Sequence, residues 1–219
     1  AQLLNFMNKS TEENQVELRS KWLSKYILNE KWAFPKRKTD NSNKNPSPVE
    51  IIRSVDEGIG ENGIIVSDAN SILLWATHFL PERPNRRFIS VWGSASMGHA
   101  TAGVIGAKLA EPNADTVAII GDGCFLMNGS EIATAVFLKL NIVWLINVNQ
   151  QLGMIHYELR KDGYTNNSTL SKYNFSDYAK SLGAHGEICE NISELTELIK
   201  NGLKRNGPTI IHVNVDPDE

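Results

Sequence analysis

From Ser47 onward the apolar residues follow two alternating rhythms. A spacing of three and four, as in "SPVEIIRSVDEGI", marks helices, and short unbroken apolar runs, as in "GIIVSD", mark strands. Further helices are expected at "SILLWATHFL", "GHATAGVIGAKLA" and "GSEIATAVFLKL", and strands at "RFISV", "TVAIIGD" and "NIVWLINV" between and after them. A loop is expected through Thr169, then the helix "FSDYAKSLG", the short segment "HGEICE", the helix "ISELTELIKNGLKR" and a last strand "TIIHVNV". Strands separated by helices predict an α/β fold: a parallel β-sheet flanked by helices on both faces, with ligands beyond the carboxyl ends of the strands.

Ahead of this region, Val16, Leu18, Trp22, Leu23, Tyr26 and Ile27 fall largely on one face of a helical pattern within residues 1–34. The polar stretch "PKRKTDNSNKNPSP", punctuated by prolines, reads as a linker. The expected organisation is therefore an N-terminal helix and linker over 1–48 and a compact domain over 49–219. Gly98, Ala102, Gly106 and Ala110 recur every fourth residue, leaving one helix face nearly bare for a close neighbour.

Charge and cysteine content narrow the function classes. A formal charge of −3, with lysines and arginines scattered among acids, gives no basic footprint and argues against a nucleic-acid partner. The two cysteines, Cys124 and Cys189, form no C-x-x-C pair and belong to no Cys/His cluster, which points away from structural zinc and toward a reducing, cytoplasmic setting. The start "AQLLNFMNKSTEENQ" turns polar too early for a signal peptide, and the apolar runs are strand-sized, so no membrane association is expected.

The chemistry concentrates at "GDGCFLMNGSE". Asp122 ends an expected strand, and Asn128 with Glu131 three residues later is expected to cap the following helix. No lysine follows in P-loop spacing, and Leu126 stands where a dinucleotide loop needs its third glycine, so neither phosphate loop fits. Taken alone, the tripeptide Gly121-Asp122-Gly123 is equally compatible with a structural turn. One helix and one strand later, Asn149 reaches the neighbouring strand's carboxyl end. A carboxylate, an amide oxygen and a nearby main-chain carbonyl suit Mg²⁺ or Ca²⁺, with phosphate oxygens and water completing the shell.

"GDG", 24 intervening residues and then "VN" resemble the fingerprint of the thiamine diphosphate enzymes. With "RRFISVWGSASMGHATAGVIGAKLA", "NQQLGM" and "NFSDYAKSLGA", the chain resembles the carboxyl-terminal, diphosphate-binding domain of acetolactate synthase. The resemblance implies thiamine diphosphate and Mg²⁺ as cofactors. It implies Asp122 and Asn149 as side-chain metal ligands and Gln151 as a main-chain one. Gly123 and Cys124 would offer their amides to the diphosphate, Gly121 would belong to the same cofactor site, and Ser71 would stand at a phosphate-contact position. Met97 would lie under the bent cofactor and Met154 near the thiazolium, with Gly153 also among the cofactor-binding residues.

Three departures qualify this. Val148 replaces the first asparagine of the family's pair, Ser71-Ile72 replaces a Gln-His pair, and Glu158 stands where the family carries a substrate-selecting tryptophan. A carboxylate at Glu158 should repel an anionic acceptor unless turned away. His156, Tyr157 and Glu158 are candidates for the substrate pocket, with a solvated loop as the competing role. No segment resembles the pyrimidine-binding domain that supplies the family's activating glutamate, so no catalytic residue is assigned to this chain. The expectation is the diphosphate-binding subunit of a split 2-oxo acid decarboxylase or carboligase, completed in a hetero-oligomer, a heterotetramer, by a partner carrying that domain. A piece of a longer polypeptide would read the same way. The alternatives are a split non-ligating decarboxylase of the sulfopyruvate or phosphonopyruvate type and a non-catalytic interaction protein retaining the fold.

Overall fold

Ser47 begins the first helix of the computed structural model, which describes residues 45–164 and 168–216. The expected amino-terminal helix and most of the linker lie outside the described residues. The Ser47 hydroxyl accepts the N–H of Glu50 (3.4 Å) while the Glu50 carboxylate accepts that of Ser47 (2.8 Å), and Pro48 occupies the first turn. This reciprocal cap fixes the start of α1, Pro48–Gly58, and turns Ile51, Ile52 and Val55 into the core.

The chain continues as β1 (Ile64–Ser67), α2 (Ser71–Phe79), β2 (Arg87–Ser90), α3 (His99–Ala110) and β3 (Thr116–Gly121). Then come α4 (Asp122–Asn128), a 3-10 turn (Gly129–Glu131), α5 (Ile132–Phe137), β4 (Val143–Val148) and α6 (Gly153–Lys161). Last are α7 (Phe175–Ser181), β5 (His185–Cys189), α8 (Ile192–Lys204) and β6 (Thr209–Asn214). All six strands are parallel, in the order β2-β1-β3-β4-β6-β5. The α/β class with helices on both faces is thus as the apolar rhythm predicts.

Strand alternation splits the core in two. Val117 and Ile119 of β3 and Val143 and Leu145 of β4 face a layer holding Ile51, Ile72, Leu195 and Ile199, from α1, α2 and α8. Ala118, Ile120, Trp144 and Ile146 face the opposite layer, with Ala100, Val104, Phe125, Ile132 and Phe175. Trp144, fully buried, donates its indole N–H to the Thr101 carbonyl (3.1 Å), tying the central strand to α3. Such double coverage explains why β3 and β4 read as unbroken apolar runs.

The structure corrects the sequence in three places. The segment after Gly121 is a helix, α4, because Phe125 packs edge-on against Phe175 (ring centroids 5.3 Å) and Tyr178 (5.7 Å), a tertiary contact that periodicity does not carry. Asn128 therefore caps nothing with its side chain, which donates instead to the Gly98 carbonyl (3.1 Å), and Glu131 accepts from the Thr134 hydroxyl (3.0 Å). A second helix, α6, occupies the expected loop, and its absence from the pattern follows from its having no buried residue. On α3, a Cβ at Gly106 would meet no atom within 4 Å, so no described neighbour sits on that part of the bare face. Among the described residues no helix is long and apolar enough to cross a membrane.

Candidate cofactor site

Asp122 leaves β3 at its carboxyl end and is the first residue of α4, where the unpaired N–H groups of a helix start favour negative charge. Its Oδ1 accepts the Gly123 N–H and its Oδ2 the Gln150 N–H, each at 2.8 Å. Burial lifts the carboxyl to about 6, against the opposing pull of these N–H bonds. A buried carboxylate held by main-chain dipoles, with no cationic side chain among the causes of its shift, is a group that gains from a metal ion.

The second arm follows β4. Gln150 turns the chain with φ +58°, in the left-handed region that non-glycine residues seldom adopt. The turn is pinned by Leu170 N–H to the Gln150 carbonyl (2.7 Å) and Leu152 N–H to the Ser168 carbonyl (2.8 Å). Asn149 Oδ1 accepts the Gln151 N–H (3.2 Å). Asn149 and Ser71 both border Gly153: a Cβ at Gly153 would fall 2.8 Å from Ser71 Oγ and 2.9 Å from Asn149 Nδ2. Glycine at 153 thus leaves free a space that the hydroxyl and the amide both border.

A third arm is set by Asp68, fully buried at the end of β1. Its Oδ1 accepts the N–H groups of Ala69 (2.8 Å) and Gly98 (3.0 Å), and its Oδ2 that of Ala100 (2.8 Å). It therefore caps α3 and holds the loop carrying Met97, whose terminal methyl lies 3.4 Å from the position a Cβ would take at Gly123.

One cavity gathers these arms. Ser71, Met97, Gly121, Asp122, Gly123, Cys124, Asn149, Gln151, Gly153 and Met154 all line it, so every residue assigned to metal or cofactor from the sequence meets in one place. The Gly123 N–H, expected to be offered to the diphosphate, is donated instead to the Asp122 carboxylate at the start of the same helix. Burial, reinforced by Asp68, pushes the Cys124 thiol well above its ordinary range, which leaves it an apolar wall rather than a nucleophile. The substrate-pocket candidates do not line this cavity. His156, on α6, bonds the Ser168 hydroxyl (2.9 Å), Tyr157 is exposed, and Glu158 pairs with Lys161 (2.9 Å) with its side chain 67% exposed. The sequence reading missed Asn70, Asn147 and Asp68; the signal for Asp68 was its place at a strand's carboxyl end, as for Asp122.

The residues present fit a diphosphate bridged by a hard cation. The donors available are a carboxylate, an asparagine oxygen and main-chain carbonyls, all oxygen, and among the described residues no group of three or more His, Cys, Asp or Glu competes as a metal centre. Glycines at 121, 123 and 153 keep the cradle open, since a Cβ at each would meet a neighbouring side chain.

Comparison with known proteins bears on the family and the fold. Residues 68–213 match the family described as thiamine pyrophosphate enzyme, C-terminal TPP binding domain. A "Probable acetolactate synthase large subunit" of Methanococcus aeolicus is 28% identical, covering 99% of this chain and 37% of that protein. An acetolactate synthase of Mycobacterium leprae is 29% identical, over 93% of this chain and 33% of that one. Among solved structures, a thiamine diphosphate-dependent 4-hydroxybenzoylformate decarboxylase of Rhodococcus jostii RHA1 superposes with a TM-score of 0.70 over 80% of this chain and 33% of the other, at 22% identity, a likeness of fold. The chain spans about a third of the length of the curated relatives it matches.

Proposed function

The chain belongs to the thiamine pyrophosphate enzyme family, and from that premise we propose that it is the diphosphate-binding part of a 2-oxo acid decarboxylase or carboligase related to acetolactate synthase. The observation that carries the reading is the buried Asp122 carboxylate, fastened at 2.8 Å to the loop that presents Asn149. In this reading Asp122, Asn149 Oδ1 and the Gln151 carbonyl hold Mg²⁺, and Ser71 and the start of α4 receive the diphosphate. The Met97 methyl, beside Gly123 in the cavity wall, would pack against the bound cofactor. Bound thiamine diphosphate supplies the carbon nucleophile that 2-oxo acids need in order to lose CO₂. This chain's residues bind it, orient it and bury its charged end.

The activating glutamate is assigned to a pyrimidine-binding domain on a partner chain, making the working unit a cytoplasmic hetero-oligomer acting on a small 2-oxo acid. Glu158 does not line the cavity and is paired with Lys161, so its charge is no bar to an anionic acceptor, and carboligation stays within the proposal. Co-expression with the products of neighbouring reading frames tests this. The expected result is a stable complex with Mg²⁺-dependent decarboxylation of a 2-oxo acid, and product analysis with and without a carbonyl acceptor separates ligation from simple decarboxylation. A complex that forms yet binds no thiamine diphosphate would overturn the assignment.

A further inference from the structure

Gly121 and Asn147 are register partners at the carboxyl ends of β3 and β4, and strand alternation turns both toward the layer that holds α2. Asn70 lies over Gly121: a Cβ there would be 3.3 Å from Asn70 Cβ and 3.7 Å from its Nδ2. All three residues line the cofactor cavity.

Each asparagine has spent one end of its amide. Asn70 Oδ1 caps α2 by accepting the Leu73 N–H (3.0 Å), which dictates that Nδ2 faces the other way. Asn147 Nδ2 donates to the Ile120 carbonyl (3.2 Å), leaving Oδ1 as the remaining end. Among the described residues, buried Asn70 Nδ2 and buried Asn147 Oδ1 have no hydrogen-bond partner, although Asn147 is only 6% exposed. Orphaned polar atoms at such depth are costly, and a donor and an acceptor flanking one glycine at a ligand cavity point to a polar ligand that completes them.

Resting on the reading given above, we propose that Asn70 is a diphosphate-positioning residue of this chain. Its Nδ2 donates to an oxygen of the phosphate group, in place of the Gln-His pair that gives way here to Ser71-Ile72. Asn147 Oδ1, across Gly121, accepts from a water in the cation's shell, since a cation polarises its water into a strong donor. Helix α2 presents both groups at its start, Asn70 as cap and Ser71 as first residue, so two side chains and the helix terminus converge on one anion.

The test is calorimetric titration of the full chain with inorganic diphosphate in the presence of Mg²⁺, a probe that makes no demand on a pyrimidine domain. Asn70→Ser and Asn70→Asp both keep an oxygen to cap α2 and remove the amide donor. They are expected to weaken binding by about ten- to a hundredfold, the loss of one hydrogen bond to a charged group, with unchanged melting of the ligand-free protein. Asn147→Leu is expected to weaken binding in the same direction. Asp122→Ala separates the two levels of the account. If binding is lost in Asp122→Ala but Asn70→Ser binds as wild type, a solvent water alone satisfies Asn70 and the inference fails while the metal-diphosphate reading stands. If the wild type binds no magnesium diphosphate, or Asp122→Ala binds it equally, both fail.

Discussion

The Asp122 carboxylate accepts the main-chain N–H of Gln150 at 2.8 Å, so the residue that ends β3 is fastened to the loop that leaves β4. Two segments separated by α4, a 3-10 turn, α5 and β4 are thereby held as one unit, with Asn149 next to the fastening point at Gln150 and its Nδ2 bordering the small space at Gly153. The position of Asn149 depends on the small space left at Gly153.

Gly153→Ala tests that dependence. The added methyl would fall 2.9 Å from Asn149 Nδ2 and 2.8 Å from Ser71 Oγ, so one of the two must move. Mg²⁺-dependent thiamine diphosphate binding should weaken by about tenfold or more, the consequence of shifting a metal ligand. Melting should change little, because the side chains that yield are short and border a cavity. Unaltered binding would show that Asn149 is not held where the cation needs it.

The ion pair at Asp56 makes a pH-dependent prediction. Burial raises the Asp56 carboxyl, but hydrogen bonds from Arg83 and Arg86 outweigh it and hold the group below 3.8. The contacts are 2.9 Å to Arg83 and 2.6 Å to Arg86, whose side chain is only 3% exposed. A depressed carboxylate stabilises the fold fully above its unfolded value and loses that contribution as pH falls through the folded one. Asp56→Asn should therefore cost about 2 kcal/mol at pH 7, between the values for exposed and buried pairs, and the gap in urea unfolding should close below pH 3.8.

His212 gives the same sign in a different window. Burial holds the imidazole below 6.5, and the bond to Asn214, with the charge of Glu190, only partly offsets this; Lys172 adds to it. Phe175 N–H reaches Nδ1 at 3.4 Å and Nε2 lies 3.1 Å from Asn214 Oδ1, an arrangement suited to a neutral ring with its proton on Nε2. Its contribution should be complete above pH 6.5 and lost as pH falls from there through the folded value. Urea unfolding measured from pH 8 to 5 should show a flatter profile for His212→Gln than for the wild type; parallel profiles would refute the assignment.

Much of this was legible in the sequence because it rests on local pattern. The unbroken runs around Ile119 and Leu145 announce strands covered on both sides, and Asp122 and Asn149 stand where two such runs end. What escaped depends on contacts between distant segments. Helix α4 is held by Phe125 against Phe175, and α6 buries no side chain whose periodicity could reveal it. Asn70 and Asn147 became visible only when the register set Asn147 beside Gly121 and the cap on Leu73 fixed which end of the Asn70 amide is spent. The expected amino-terminal helix lies outside the described residues.

Thiamine diphosphate binding by wild-type protein and by Asp122→Ala, each with Mg²⁺ present and with Mg²⁺ chelated, decides whether Asp122 holds the cofactor through a metal ion. Binding by the wild type should disappear on chelation and be weakened by about a hundredfold or more in the variant, as expected when a charged ligand to a metal is lost. Equal affinity in wild type and variant, or affinity indifferent to Mg²⁺, would contradict the metal bridge.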